Sequence, residues 1–182
     1  SAASYNEPNN WLEDSKTNVI GTCNLIDVSE KHKIKKLIYF QTLLCYGEPT
    51  SLPINEEHSI NPNTSYAISK YAGEKYAMLS SIPVVSLRIS IVTGPRLSIG
   101  PIPTFYKRLK QELPCYCSDT YRDFLDMQDF LDLIDLIILK IDLTGIFNVA
   151  SGESHSIKEI YDLVRAHLNL KKHNIEIMPP QD

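Results

Sequence analysis

Lys36-Leu-Ile-Tyr-Phe-Gln-Thr42, Tyr66-Ala-Ile-Ser-Lys70 and Ile82-Pro-Val-Val-Ser-Leu-Arg-Ile89 form the stretch whose reading decides the fold. The first and last runs are short, apolar and rich in β-branched or aromatic residues, which predicts buried strands. Between them, Asn63 or Thr64 can cap a helix running through Tyr66 to Met78. Residues 43 to 62 contain Gly47, Pro49, Pro53 and Pro62 with no periodicity, so they form an irregular excursion of the kind that carries function.

Working outward, Pro8 to Lys31 places Trp11, Leu12, Val19, Cys23, Leu25 and Ile26 at helical spacing, with Trp11 expected in the core. Downstream, Thr93-Gly-Pro-Arg96 breaks the chain, and helices are expected over Pro103 to Gln111 and Met127 to Lys140. Gly145-Ile-Phe-Asn-Val-Ala150 reads as a strand, and Ser156 caps a helix from Ile157 to Leu168. Cys115-Tyr-Cys117 reads as a strand whose thiols pack rather than react. Alternating strands and helices predict an α/β fold, a parallel sheet with helices on both faces, because parallel strands need crossover connections. Residues 95 to 127 and 150 to 182 are more irregular and are expected to form a smaller lobe.

With 182 residues, 43% of them apolar, the chain can bury a sizeable core. Its net charge of −4 and scattered basic residues exclude the footprint of a nucleic-acid binder, and Lys31 to Lys36 reads as a solvated helix end. The apolar run from Leu131 to Leu143 is too short and too acidic for a bilayer span. Cys23, Cys45, Cys115 and Cys117 lack zinc-site spacing, and His58, His155, His167 and His173 lack partners at ligand spacing, so no metal is expected. A reducing cytoplasm fits the cysteine usage.

Tyr66 and Lys70 stand one helical turn apart on one face. A phenol, with an ordinary pKa near 10, is a poor base at neutral pH. A neighbouring ammonium favours the phenolate, which can then accept a hydroxyl proton. The spacing alone discriminates little, because Tyr71/Lys75 and Tyr106/Lys110 repeat it and such pairs are commonly solvated. Context separates them: Tyr66 follows a proline-rich loop, itself preceded by a strand ending in the hydroxyl of Thr42, which can bind the same substrate oxygen.

Further motifs accompany this pair: Phe40-Gln-Thr-Leu-Leu-Cys-Tyr-Gly47, Pro53-Ile-Asn-Glu56, Glu74, Leu87-Arg88 with Gly94-Pro-Arg96, Arg122-Asp-Phe124 with Asp129, and Phe147-Asn-Val149 with Gly152. In that order they resemble the NAD-dependent epimerase/dehydratase family of nucleotide-sugar enzymes, an extended short-chain dehydrogenase/reductase group, from Ser1 to about Leu168. The resemblance implies a Rossmann-like fold, here lacking its N-terminal strands, with NAD as cofactor. Residues 1–94 then belong to the dinucleotide-binding domain and 95–182 mainly to a nucleotide-sugar lobe, with 128–150 returning to the sheet. It implies Thr42, Tyr66 and Lys70 as the catalytic set. Ser1, Ala2, Ala3, Tyr5, Asn18 and Ser90 join those three at the cofactor. Thr42, Tyr66, Ile91, Tyr116 and Arg122 face the substrate, Arg122 clamping its diphosphate. The alternative reading of Arg122 is an ion pair with Asp123 or Asp126.

Family dehydratases and decarboxylases carry a glutamate just after the position of Thr42, whereas this chain has Leu43 and Leu44, which cannot transfer protons. The resemblance therefore points to 4-epimerisation of a nucleotide sugar, most simply a UDP-sugar, in polysaccharide biosynthesis. The alternatives are an NAD(P)-dependent keto-sugar reductase or dehydratase, and a non-catalytic binding subunit. A homodimer through the helices at 8 to 31 and 63 to 80 is also implied. Two departures stand out: Ile91 replaces a customary asparagine, and no Gly-x-x-Gly-x-x-Gly cradle occurs among the seven glycines. The expectation is thus a fragment of a longer enzyme that binds cofactor poorly by itself.

Overall fold

A computed structural model of the chain describes residues 10–170 and the backbone of 175–178. In chain order the elements are α1 (Trp11–Asp14), a π-helical segment (Ser15–Ile20), α2 (Gly21–Lys31), β1 (Leu37–Thr42), a 3-10 turn (Leu43–Tyr46), α3 (Ser65–Leu79), β2 (Val84–Ile89), β3 (Ile91–Thr93), α4 (Pro101–Lys110), β4 (Cys115–Ser118), β5 (Tyr121–Asp126), α5 (Met127–Leu139), β6 (Gly145–Val149), β7 (Ser154–Ser156), α6 (Ile157–His167) and β8 (Ile175–Met178). They fall into two units, residues 1–89 with 134–149 and residues 90–133 with 150–182.

The first unit is built on a parallel sheet in the order β1-β2-β6. Leu37 pairs with Val84 and Thr42 with Ile89, so the hydroxyl residue marks the carboxyl end of its strand. β2 is central and buried along almost its whole length, the environment that selects apolar runs in parallel sheets. Its two polar residues, Ser86 and Arg88, therefore need internal partners, which α3 supplies. On α3 the buried positions Ala67, Lys70, Gly73, Glu74 and Ala77 follow the helical repeat and form the sheet-facing stripe. Leu37, Tyr39, Ala77, Ile82 and Val84 close a small core there. A Cβ on Gly73 would overlap both the Asn18 carbonyl oxygen and the Tyr39 hydroxyl, so glycine alone permits α3 to approach this closely. Lys36 donates to the carbonyls of Ile137 and Lys140, satisfying groups at the end of α5.

The π-helical segment interrupts a helix whose periodicity predicts a continuous α-helix, and the side that it turns inward is polar. Asp14, Asn18, Thr22 and Ser29 are buried, while Trp11, Leu12, Leu25 and Val28 stand exposed. Trp11 is 66% exposed, so its expected core position is corrected. Periodicity locates an apolar stripe without stating what covers it.

The second unit contains the sheet β3-β5-β7, with β3 parallel and β7 antiparallel to β5, and the parallel pair β4-β8. Its core joins Phe105 and Leu109 of α4, Cys115 and Cys117 of β4, and Ile157, Ile160, Tyr161 and Val164 of α6. Phe105 meets Tyr161 edge to face, with centroids 5.6 Å apart. Burial pushes the Cys117 thiol up to about 11, which fits packing rather than redox chemistry. Ser156 and Glu159 complete a capping box at the start of α6. An open apolar groove of about 550 Å³, lined by Gly94, Ile102, Tyr106, Leu163 and His167 among others, shares no residue with the candidate site.

Candidate active site

The first turn of α3 is held from two sides. Thr64 caps it by accepting from the Ala67 N–H at 3.2 Å, and the Ser65 hydroxyl donates to the Asp14 carboxylate at 2.7 Å. A third tie comes from the π-helical segment: the Asn18 amide donates to Ser69 Oγ at 3.0 Å, and Ser69 Oγ donates to the Tyr66 carbonyl at 2.9 Å. The helix carrying Tyr66 and Lys70 is thus fixed at the turn where both stand. Tyr66 is half-buried, and Asn18 is buried against this turn.

Lys70 is buried at 8% exposure. Its ammonium lies 4.4 Å from the centroid of the Tyr39 ring, and the Tyr39 hydroxyl donates to the Lys70 carbonyl at 2.8 Å. Desolvation pulls the Lys70 amine down to about 8, against the opposing charge of Glu74. Burial likewise raises the Tyr39 phenol above its ordinary range. The other two Tyr-x-x-x-Lys pairs differ: exposed Lys75 and Lys110 lean over their own tyrosines, Tyr71 and Tyr106. One sequence pattern therefore has two structural outcomes, decided by which face of the helix is covered.

Thr42 ends β1, half-buried, and its Oγ1 accepts from the Leu44 N–H at 3.3 Å, starting the 3-10 turn that contains Leu43 and Leu44. The excursion after it is anchored by a polar network. Arg88 donates to the Tyr46 hydroxyl at 2.7 Å and to the Glu56 carbonyl at 3.2 Å. Tyr46 in turn donates to Asn148 Oδ1 at 2.7 Å, and the Asn148 N–H donates to the Glu56 carboxylate at 2.7 Å. The motif residues Tyr46, Glu56, Glu74, Arg88 and Asn148 thus make one connected set. Sequence spacing reveals their company but not this task, since they come from four separate segments.

Within the second unit, Ser90 and Ile91 lie at the start of β3, and Ser90 Oγ is a buried atom without a partner at hydrogen-bonding geometry among the described residues. It still lies close enough to Asp123 to act on that carboxyl. Burial works to raise Asp123, but N–H groups of Ser151 and Gly152 and the hydroxyls of Ser90 and Ser151 hold it below the usual range. Asp123 is thereby the anchor of the Ser151-Gly152 turn, a role that sequence reasoning missed. Arg122 is exposed, donates to the Tyr121 carbonyl at 2.8 Å and sits opposite His155 in the β5-β7 ladder. Asp123 and Asp126 have other partners, Ser151 and Gly152 for the first and the Gln128 N–H for the second. Tyr116 is half-exposed on β4 under the Arg108 guanidinium. Ser1, Ala2, Ala3 and Tyr5 lie outside the described residues.

One observation bears on a dinucleotide. Among the described residues the Lys70 ammonium has no hydrogen-bond acceptor, only the face of Tyr39. A lysine side chain buried to 8% exposure, whose ammonium meets no acceptor among the described residues, fits a ligand rich in hydroxyls, as the riboses of NAD are.

Residues 2–150 match the NAD dependent epimerase/dehydratase family, and the chain belongs to that family. The Bordetella bronchiseptica enzyme WbmG, solved in complex with NAD and UDP, is 51% identical and superposes with a TM-score of 0.92 over 100% of this chain and 58% of its own. WbmH of the same organism, solved with NAD+, is 36% identical with a TM-score of 0.87, covering 100% of this chain and 62% of its own. A UDP-glucose 4-epimerase of Corynebacterium glutamicum is 26% identical over 187 residues, 89% of this chain and 56% of that protein. The chain thus spans less than two thirds of the length of these relatives. The parallel sheet flanked by helices is the Rossmann-like α/β class of those structures.

Proposed function

We propose that this chain is part of a nucleotide-sugar 4-epimerase acting on a UDP-sugar. The observation that carries the reading is Lys70, buried on the Tyr66 face of α3 with an ammonium unmatched by any acceptor among the described residues. In this reading Tyr66 accepts the proton of the sugar 4-hydroxyl and later returns it. Thr42 holds the same oxygen by hydrogen bond, and Lys70 makes the phenolate tolerable. NAD, when bound, supplies the hydride acceptor and donor for C4, held by Ser1, Ala2, Ala3, Tyr5, Asn18, Lys70 and Ser90. Ile91, Tyr116 and Arg122 contact the nucleotide, with Arg122 on the diphosphate. The half-buried Leu43 and Leu44 offer no proton for eliminating water.

The first unit then serves as the dinucleotide-binding domain and the second mainly as the substrate lobe. The outward apolar face of α1, α2 and α3, with Trp11, Leu12, Leu25, Val28, Ile68 and Tyr76, supports a homodimer. The four free cysteines fit a reducing cytoplasm. Among the described residues no helix is long and apolar enough to cross a membrane.

The test is incubation of the full-length enzyme with NAD and UDP-glucose, UDP-N-acetylglucosamine or their uronic acids, with sugar products resolved by NMR. The expected result is a C4 epimer without net NADH. Neither epimer nor NADH overturns the reading, and stoichiometric consumption of reduced cofactor replaces it with a reductase.

A further inference from the structure

We infer that Tyr39 is a positioning residue for Lys70: its ring seats the ammonium and its hydroxyl ties the Lys70 carbonyl, so that side chain and backbone are held by one residue of β1. The inference deepens the reading of Tyr66 and Lys70 as a proton-transfer pair and rests on it.

A lysine side chain is a flexible four-carbon stem, and burying its charge without a fixed partner is unfavourable on both entropic and electrostatic grounds. A carboxylate is the ordinary remedy, and Glu74 stands one turn further along α3. Glu74, however, is engaged by the Arg88 guanidinium at 2.8 and 3.2 Å and by the Ser86 hydroxyl at 2.8 Å. What remains for Lys70 is the electron-rich face of Tyr39. Among the described residues Lys70 has no carboxylate bond, and this has a chemical use. An ammonium locked to a carboxylate has its charge largely cancelled, whereas one resting on a neutral ring keeps its field for a neighbouring phenolate.

Tyr39 reaches this place because β1 alternates. Leu37, Tyr39 and Gln41 point to the α3 side, and Gly73 leaves room for the phenol between the helix and the π-helical segment. Its hydroxyl then finds the Lys70 carbonyl, which fixes the ring against the helix turn bearing the amine. The titratable or charged groups around the pair are Tyr66 and Glu74 on α3, Arg88 on β2, which neutralises Glu74, and Asp14 on α1, which is bonded to Ser65.

The test is an NMR titration of the full-length protein labelled at lysine 13Cε, with Lys70→Met identifying the Lys70 signal. Tyr39→Leu, which removes ring and hydroxyl, is expected to lower the Lys70 midpoint by about one pH unit, the equivalent of about 1.4 kcal/mol of lost cation–π attraction. Tyr39→Phe, which keeps the ring, is expected to stay within about a third of that. Tyr39→Met fills the space without a π face and replaces Tyr39→Leu should that variant not fold. In turnover, the non-aromatic variants lose about tenfold in kcat with KM for the nucleotide sugar within about twofold, and Phe restores most of the loss. Identical Lys70 midpoints in the parent, Phe and non-aromatic variants overturn the inference. A shifted midpoint in a parent protein that epimerises nothing upholds the seat for Lys70 and removes the proposed reaction, so the two failures are separable.

Discussion

The carboxylate of Glu74 grips the guanidinium of Arg88 in a two-pronged pair, Oε1 to Nη2 at 2.8 Å and Oε2 to Nε at 3.2 Å, with both side chains almost wholly buried. It binds the middle of α3 to the central strand β2. Through Arg88 it continues to Tyr46, Glu56 and Asn148, so the helix bearing Tyr66 and the excursion after Thr42 share one anchor.

Breaking this pair leaves a buried charge alone. Glu74→Gln or Arg88→Met is expected to cost about 3 kcal/mol or more, because the survivor stays desolvated without its partner. For a chain of this size that lowers Tm by about 6–12 °C, measurable by calorimetry. The double replacement by apolar residues of similar volume should recover part of the loss, since it removes both desolvation costs.

The role proposed for Lys70 sets activity against stability. Its folded pKa, about 8, lies below the ordinary value near 10.5, so the folded state holds the proton less tightly than the unfolded state. The sign follows: the destabilisation is fully present below about pH 8 and fades as pH rises toward 10.5, where the unfolded chain also loses the proton. Lys70→Met is expected to raise stability at pH 7 by up to about 3 kcal/mol while abolishing turnover. Thermal melts from pH 7 to pH 10 should show the advantage shrinking, and an advantage that persists at pH 10 would contradict the linkage.

Tyr66→Phe removes the group assigned to proton transfer and leaves the ring. Epimer formation should fall by about 10²–10⁴ in kcat with little change in nucleotide-sugar binding, measured by calorimetric titration. Thr42→Ser should keep most of the activity, whereas Thr42→Val loses the hydroxyl proposed to hold the substrate oxygen and the cap on the Leu44 N–H, the latter costing about 1 kcal/mol.

Gly73→Ala places a methyl where the Asn18 carbonyl and the Tyr39 hydroxyl already stand. Overpacking of this type costs about 1–3 kcal/mol. Because the displaced groups adjoin Lys70, kcat should fall together with Tm, whereas Gly21→Ala, which meets only ordinary contact at 3.5 Å, should leave both close to the parent.

Trp11→Glu places a charge on the outward apolar face of α1. Sedimentation equilibrium of the full-length enzyme should show a dimer for the parent and a shift toward monomer for the variant; no shift would remove Trp11 from the interface.

Much of this protein was decided locally. Hydrophobic period, proline and glycine punctuation and the caps at Thr64 and Ser156 were enough to place β1, β2, β4, β6 and the longer helices and to specify the α/β class, because these properties depend on neighbours a few residues away, whereas β3, β5, β7 and β8 are set by pairing with distant strands and carried no such signal. The order of motifs was likewise enough for the family. The rest depended on what the fold brings together. Three Tyr-x-x-x-Lys pairs share one spacing; the flanking sequence singles out Tyr66 and Lys70, but that Lys70 is buried on the face of Tyr39 while Lys75 and Lys110 lie exposed comes from the fold. The seat under Lys70 comes from Tyr39, thirty-one residues away, and the anchor of the helix bearing Tyr66 joins four distant segments. Trp11 departs from the core position that its spacing predicts for the same reason: a helical stripe shows which side is apolar, but burial is a property of the surface laid against it. Desolvation and ion pairing arise only when such surfaces meet, and no local pattern encodes them.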